Sequence, residues 1–466
     1  MLTLATILIP LTLLIWLAWR GVSVLILSPV MALLAAGMAG EPLLASLTQR
    51  FMPATGGFII SYFLLFLLGA VFGRIMEDSG AARRVADGIV RALGQQQAIP
   101  AVVISCAILT YGGVSLFVVA FAIYPLAMAL FRSADLPRRL IPASIALGAF
   151  TFTMTALPGT PAIQNAIPMP YFGTTAFAAP GLGIIAGLIM AGFGLFWLAR
   201  RARTLRAAGE HFESPPRGTE IAEETPSQPL IRKPMPLWLA LSPILSVLIL
   251  NFVFSTILLP GLDTSYLADA RWGSTDAGAL IGIWSIIAAL ICSILLAMAL
   301  FHRTLDQPAN SLSRGAEASL LPIFNTSALV GFGAVAAGLP AFEMVRDAVA
   351  ALPGGPLISL AASSAILAGI TGSASGGMSI ALDALGDQYV ASAEAAGIEP
   401  SLMHRVMSIA TGGLDALPHN GAVITLFAIG RLSHKESYAD VFMVAVAIPT
   451  LALIVVLTLG GLFGSF

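Results

Sequence analysis

The sequence predicts an all-α polytopic membrane protein: two inverted-topology repeats containing broken helices and re-entrant hairpins, with about 10 to 14 membrane segments. Three observations predict it. Of 466 residues, 58% are apolar and only 10% charged, against roughly 45–50% and 25% in an ordinary globular chain. With a mean hydropathy of +0.91, there is too little polar surface to coat a particle of this size in water. Second, the apolar residues fall into runs of about 20, the length that crosses a bilayer. Third, the two ends of the chain resemble each other weakly but at a constant offset.

Taken in order, apolar runs lie near 2–19, 22–39, 56–76, 113–131 and 177–199, then near 237–260, 277–301, 319–338, 402–417 and 439–463. The first lacks a basic flank and a small-residue cleavage site, so it is expected to be a retained helix and not a signal peptide. Stretches near 99–111, 140–175 and 355–392 are short or interrupted by Gly, Pro, Ser and Thr. Residues 200–236 carry seven basic residues, five glutamates and six prolines, and read as a hydrophilic linker between a first membrane repeat (1–199) and a second (237–466). The basic start of the linker, Arg200 to Arg206, directly follows a span and is expected in the cytoplasm.

The repeat has one offset, 260 residues. Ala156-Leu157-Pro158 with Ala162 recurs as Ala416-Leu417-Pro418 with Ala422, and Ala81, Val85, Asp87 and Gly94 recur as Ala341, Val345, Asp347 and Gly354. A gapped match pairs Ala107-Ile108-Leu109 with Ala365-Ile366-Leu367. Weak internal symmetry with interrupted apolar segments at matching places points to a secondary transporter whose site lies at the repeat interface.

Irregular backbone at membrane depth is tolerated only inside protein or along a cavity. There, half-helix N-termini offer N–H groups to an anion and unwound carbonyls can hold a cation. Four breaks qualify. In the first half they supply Tyr111, Gly112, Gly113 and Ser115, then Pro158, Gly159 and Thr160 with Asn165 following; in the second, Thr371, Gly372, Ser373, Ser375, Gly376 and Gly377, then His419 and Asn420. These are the candidate substrate-binding residues. The competing explanation is that Gly, Ser and Thr simply pack membrane helices closely. Ionisable residues at membrane depth are expensive and usually functional. Asp415 and His419, four apart, form a candidate proton-handling pair, and Asp383 is the next candidate. Asp383 and Asp387 could equally be reaching water. Glu77, Asp78, Arg74, Arg83, Arg84 and Arg91 suit an interfacial position.

The composition also excludes. Net charge is −1, without a basic block, so nucleic acid is not an expected partner. Cys106 and Cys292 stand apart as small buried hydrophobes, and no metal site, cofactor or enzyme motif is present. No arginine or lysine sits in the four breaks, so a carboxylate would be held by backbone amides, hydroxyls, the Asn165 and Asn420 amides and a protonated His419, and the expected cargo is a small organic monoanion. Its coupling ion is a proton or, alternatively, sodium, and a passive anion channel would share the broken helices. The apolar exterior contacts lipid and allows a homo-oligomer.

The segments LTYGGVSLFVVAFAIYPLAMALF (109–131) and LPRRLIPASIALGAFTFTMTALPGTPAIQNAIP (136–168), with GITGSASGGMSIAL (369–382) and GGLDALPHNGAVITL (412–426), resemble the signature stretches of the gluconate permease family, particularly its hydroxybutyrate permease branch. The resemblance extends over nearly the whole chain. It implies proton-coupled uptake of gluconate- or 3-hydroxybutyrate-like acids across the inner membrane of a bacterium. It also implies the inverted-repeat fold of the wider ion transporter superfamily, with two hairpins in a mobile domain.

Overall fold

The computed structural model describes residues 2–20, 22–94, 96–114, 116–212, 235–344, 354–418 and 420–466. Among these the protein is helical, without a strand. Six helices are long and apolar enough to cross a membrane, and six shorter apolar helices of 10–17 residues accompany them.

The first half opens with the antiparallel pair α1 (Leu2–Trp19) and α2 (Val24–Met38), followed by α3 (Met52–Asp78). A π-helical turn at Ser46–Phe51 joins α3 to the preceding turn, so the third span runs from Leu43 to Asp78, longer than the 56–76 expected. The amphipathic α4 (Ala81–Leu93) leads to a hairpin of α5 (Ala98–Tyr111) and α6 (Leu116–Ser133). At 14 residues α5 is only about 21 Å long, short of the ~30 Å apolar core. It therefore turns back inside the membrane. Next, α7 (Ile141–Ala149) dissolves into short turns through residue 179 before α8 (Pro180–Ala207) crosses. That helix runs past residue 199 into the expected linker, of which residues 213–234 lie outside the described ones.

The second half repeats this order: α9 (Leu237–Val253), α10 (Ala277–Leu300), α11 (Pro308–Ala337), then a hairpin of α12 (Pro356–Thr371) and α13 (Ala374–Ala395). Of the connector matching α4, Val345 and Asp347 lie outside the described residues. The run expected at 402–417 is α14 (Pro400–Leu414), which unwinds before α15 (Gly421–Gly430), and α16 (His434–Phe442) continues through a π-turn at Met443–Ala447 into α17 (Ile448–Phe463). Prolines open α8, α11, α12 and α14 at their first helical position, where the missing N–H costs nothing.

The equivalent helices α3 and α11 pack side by side and antiparallel. At one end Ser311 donates to Asp78 at 2.7 Å, and at the other Arg50 donates to the Gly338 carbonyl at 3.2 Å. Gly315 and Gly331 permit the approach, because a Cβ on Gly315 would lie 2.7 Å from Val71 Cα and one on Gly331 2.9 Å from the Phe51 carbonyl. The neighbours are likewise exchanged between halves: α2 packs on α11, and α10 packs on α3.

Both described ends of the linker lie on one face. Glu210 meets Arg139 at 3.5 Å and His211 meets Asp135 at 2.6 Å, while the Met235 carbonyl accepts from Arg84. The hydrogen bond from His211, helped by the Phe212 N–H, holds the Asp135 carboxyl below its ordinary range. Following the spans from this face, Arg20, Arg74, Arg83, Arg84, Arg91, Arg132, Arg138, Arg139, Arg303, Arg431 and Lys435 fall on it, whereas Arg50 and Arg271 fall on the other. By the positive-inside rule the linker face is cytoplasmic.

Candidate functional site

The two hairpin tips and the two unwound segments converge on a single cavity of about 560 Å³. Its wall takes Thr110, Gly113 and Val114 from the first tip, Met154, Thr155 and Pro161 to Gln164 from the segment after α7, Thr371 to Ser375 from the second tip, and Asp415, Ala416 and Asn420 from the segment after α14. Leu116, Phe150 and α15 at Gly421, Ala422, Ile424 and Thr425 add to it, and scaffold completes it: α3 at Gly69 and Ala70, α11 from Ala318 to Leu329, and the α1–α2 turn at Val22 and Ser23. That turn belongs to the cytoplasmic face, so the cavity occupies the cytoplasmic half of the membrane.

Each tip is clamped to the unwound segment of its own half. Tyr111 donates to the Pro158 carbonyl at 2.6 Å, and Asn420 Nδ2 donates to the Gly372 carbonyl at 2.8 Å. Asn420 Oδ1 meanwhile accepts from the Ala422 and Val423 N–H groups, capping α15. Ser373 caps α13 by accepting from the Gly376 N–H at 3.1 Å. Gly113 has φ +93°, and a Cβ there would lie 3.0 Å from Pro161 Cγ. The position needs glycine for both reasons.

Asp415 faces the backbone N–H groups of Ala374 and Ala416. Ala374 is the first residue of α13, so a carboxylate of the protein occupies the positive end of a half-helix. It is the only ionisable side chain among the described residues lining the cavity.

Several candidates stand elsewhere. Tyr111, Gly112, Pro158, Gly159, Thr160, Asn165, Gly376 and Gly377 are not in the cavity wall. A Cβ on Gly112 would strike Ile244, one on Gly159 the Phe177 ring, and one on Gly377 the α12 backbone at Ala368, so these three serve close packing. Thr160 is buried, its hydroxyl accepting from the Ala162 N–H. Asp383 lies at the opposite face, in a separate cavity of about 650 Å³ with Glu41 and Glu343, and accepts a hydrogen bond from Tyr171. Ser115 and His419 lie outside the described residues. Cys106 is buried as expected but Cys292 is exposed on α10, where the outer helix surface is apolar.

The sequence reading passed over His404 and Arg405, both fully buried on α14. Arg405 donates to the carbonyls of Thr155 (3.2 Å), Ala176 (3.4 Å) and Ala178 (2.7 Å) and to Asn165 Oδ1 (3.2 Å). His404 bridges Asn165 Oδ1 and the Thr174 hydroxyl, and Asn165 Nδ2 bonds the Thr160 and Ala176 carbonyls. Asn165 is thereby wholly engaged in holding the unwound segment. These side chains replace the helical hydrogen bonds that the segment gives up. The signal was available, since two ionisable residues stand a turn inside an apolar run.

The model of the GntP family permease matches residues 1–416. Over 472 aligned residues the chain is 42% identical to the uncharacterized transporter YxjC of Bacillus subtilis strain 168, covering 98% of each. In fold it is similar to the crystal structure of the Alcanivorax borkumensis YdaH transporter, described as having an unusual topology, with a TM-score of 0.58, 16% identity and 88% of each chain covered. At that identity the likeness is one of fold alone.

Proposed function

The chain belongs to the GntP permease family and is an integral membrane transporter, and from that premise we propose that it takes up a small hydroxylated monocarboxylate, of the 3-hydroxybutyrate or gluconate kind, together with a proton. Uptake proceeds by alternating access across the cytoplasmic membrane of a bacterium. The observation that supports this reading is the position of Asp415, which lines the shared cavity and faces the Ala374 N–H at the start of α13.

A half-helix N-terminus is the natural seat for a substrate carboxylate. While Asp415 is ionised, the seat already holds an anion, and a second one 4 Å away meets a repulsion of about 4 kcal/mol at an effective dielectric of ~20. Protonation removes that repulsion and turns Asp415 into a donor. Proton and anion then favour each other's binding, which is thermodynamic coupling. With Arg405 spent on carbonyls, the described residues of the cavity offer the carboxylate neutral donors only, which suits a single charge over two or three. The Gly113, Thr371 to Ser375 and Asn420 surfaces supply the other contacts.

Reconstituted vesicles test the reading. An inwardly directed proton gradient should concentrate 3-hydroxybutyrate or gluconate above equilibrium, and replacing sodium with choline at fixed pH should leave uptake unchanged. Loss of uptake in choline means sodium coupling, and mere equilibration means a channel. Asp415→Asn should keep counterflow exchange but lose accumulation driven by pH. From spacing alone His419→Gln would have the larger effect; the place of Asp415 facing the α13 N-terminus supports the opposite order, and the two variants measured side by side decide it. Wild-type pH dependence in Asp415→Asn would move the proton to another group, with His419 and Asp383 next to be tested.

A further inference from the structure

Away from the cytoplasmic cavity, the unwound segment after α7 and the second hairpin are packed tightly onto the scaffold. On α10, a Cβ at Gly282 would lie 2.7 Å from the Thr174 carbonyl and would press on Met169, while on α11 one at Gly333 would strike Ile380 of α13. Both glycines stand near the ends of their helices that face away from the linker, and Met169 is fully buried. Two scaffold side chains reach across this closed zone to carbonyls of the unwound segment. Tyr62 of α3 donates to the Ile167 carbonyl at 3.4 Å, and Asn251 Nδ2 of α9 donates to the Gly159 carbonyl at 3.2 Å. Tyr62 stands twelve residues from Arg74 on the cytoplasmic face and twelve from Arg50 on the other, one turn beyond Leu65 and Phe66 of the cavity wall. Asn251, 14 residues past Leu237, is about 21 Å from the cytoplasmic start of α9. Its Oδ1 is buried without a partner, and a half-satisfied amide at this depth costs stability.

We propose that Tyr62 and Asn251 are the outer latch of this transporter: positioning residues that hold the first unwound segment against the scaffold while the site faces the cytoplasm, and release it when the site faces out. The inference rests on the alternating-access reading above and names the bonds that set its balance. Neither side chain lines the cavity, so neither is placed to touch cargo. Each instead joins a scaffold helix to the segment that supplies one wall of the cavity. Opening outward separates Met169 from Gly282 and Ile380 from Gly333, and the freed Gly159 and Ile167 carbonyls meet water entering from outside. Exchanging one such hydrogen bond for a hydrated carbonyl is a small net change. Each latch bond therefore biases the two-state balance by a modest factor and can be broken and remade in every cycle.

Labelling from one side tests it, using the full-length chain with Met169→Cys and Cys292→Ser as parent and a membrane-impermeant maleimide added outside right-side-out vesicles. The cysteine placed at position 169 is reached only when the segment leaves Gly282. Native Cys106, fully buried against Gly148, reports general loosening of the fold. Adding Tyr62→Phe or Asn251→Leu should each speed labelling at position 169 by about fivefold, the effect of one hydrogen bond on a two-state balance. The two together should give roughly the product, about 25-fold. Cys106 should stay unreactive throughout. An unchanged rate at position 169 in either variant overturns the latch, and so does a rise there matched by a rise at Cys106, which marks loosened packing. If the parent is labelled at position 169 but the variants are no faster, the latch is wrong and alternating access stands. If position 169 is never labelled, in parent or variants, with external 3-hydroxybutyrate and an inward proton gradient or without them, the outer half does not open and both readings fall.

Discussion

At the scale of single residues, the most consequential side chain is one that touches no cavity. Arg405 is a charged group, fully buried, whose partners are carbonyls and one amide oxygen. Its guanidinium fork suits this, since several carbonyls of a bent chain can be met by one rigid set of donors. Arg405→Met would strand the Ala178 carbonyl, at about 1–3 kcal/mol, whereas the Thr155 carbonyl keeps the Ser408 hydroxyl and the Ala176 carbonyl keeps Asn165 and the Gly159 N–H. We expect it to lower stability by about 1–3 kcal/mol, seen as earlier thermal unfolding in detergent, with Arg405→Lys intermediate. Unfolding at the wild-type temperature would mean that the segment holds its shape without the staple. The neighbouring His404 belongs to the same network, which places the strongest polar cluster on the far side of the cavity wall from the cytoplasm.

At the scale of elements, adjacent glycines in the second hairpin have different work. A Cβ on Gly377 would lie 2.3 Å from the Ala368 N and 2.4 Å from its Cα, whereas on Gly376 the nearest atom would be Ser373 Oγ at 3.3 Å. Backbone cannot yield as a side chain can, so Gly377→Ala should destabilise by about 1–3 kcal/mol. Gly376→Ala should be nearly neutral, gaining helix propensity against a small adjustment. Equal losses in the two variants, measured by thermal unfolding, would show that the contact of α12 with α13 is not what requires glycine. Sequence alone could not tell these residues apart, because both sit in the same Gly/Ser run and differ only in which face of α13 they occupy. Elements legible from composition and punctuation were the spans, the two interrupted hairpins and the repeat order. Illegible were the extension of α3 back to Leu43, where polar Gln49 and Arg50 hide a continuous helix, and the Arg405 contacts to a segment more than 200 residues away. Asp415 could be picked out as an ion at depth, but that it faces Ala374 is a fact of packing between segments 41 residues apart.

For the whole molecule, the antiparallel pairing of α3 with α11 accounts for how one chain can offer the same kind of hairpin from both faces of the membrane. The tips then meet from opposite sides, each carrying its own unwound segment. Those clamps, Tyr111 on Pro158 and Asn420 on Gly372, make tip and segment one mechanical piece. Under the alternating access proposed above, opening the site to the other face displaces that piece against α3 and α11, along walls of Gly69, Ala70, Ala318 and Leu329. Such a surface has few polar bonds to break, so the resistance to sliding comes from the surrounding lipid, which must match the apolar height of whatever moves within it. Turnover should therefore depend on acyl-chain length in reconstituted vesicles, passing through an optimum, while the affinity for the acid stays constant. Equal uptake rates across bilayers from 14 to 22 carbons (a span of roughly 10 Å in thickness) would mean that the clamped piece does not travel, and that the two faces are exposed by motion within the tips themselves.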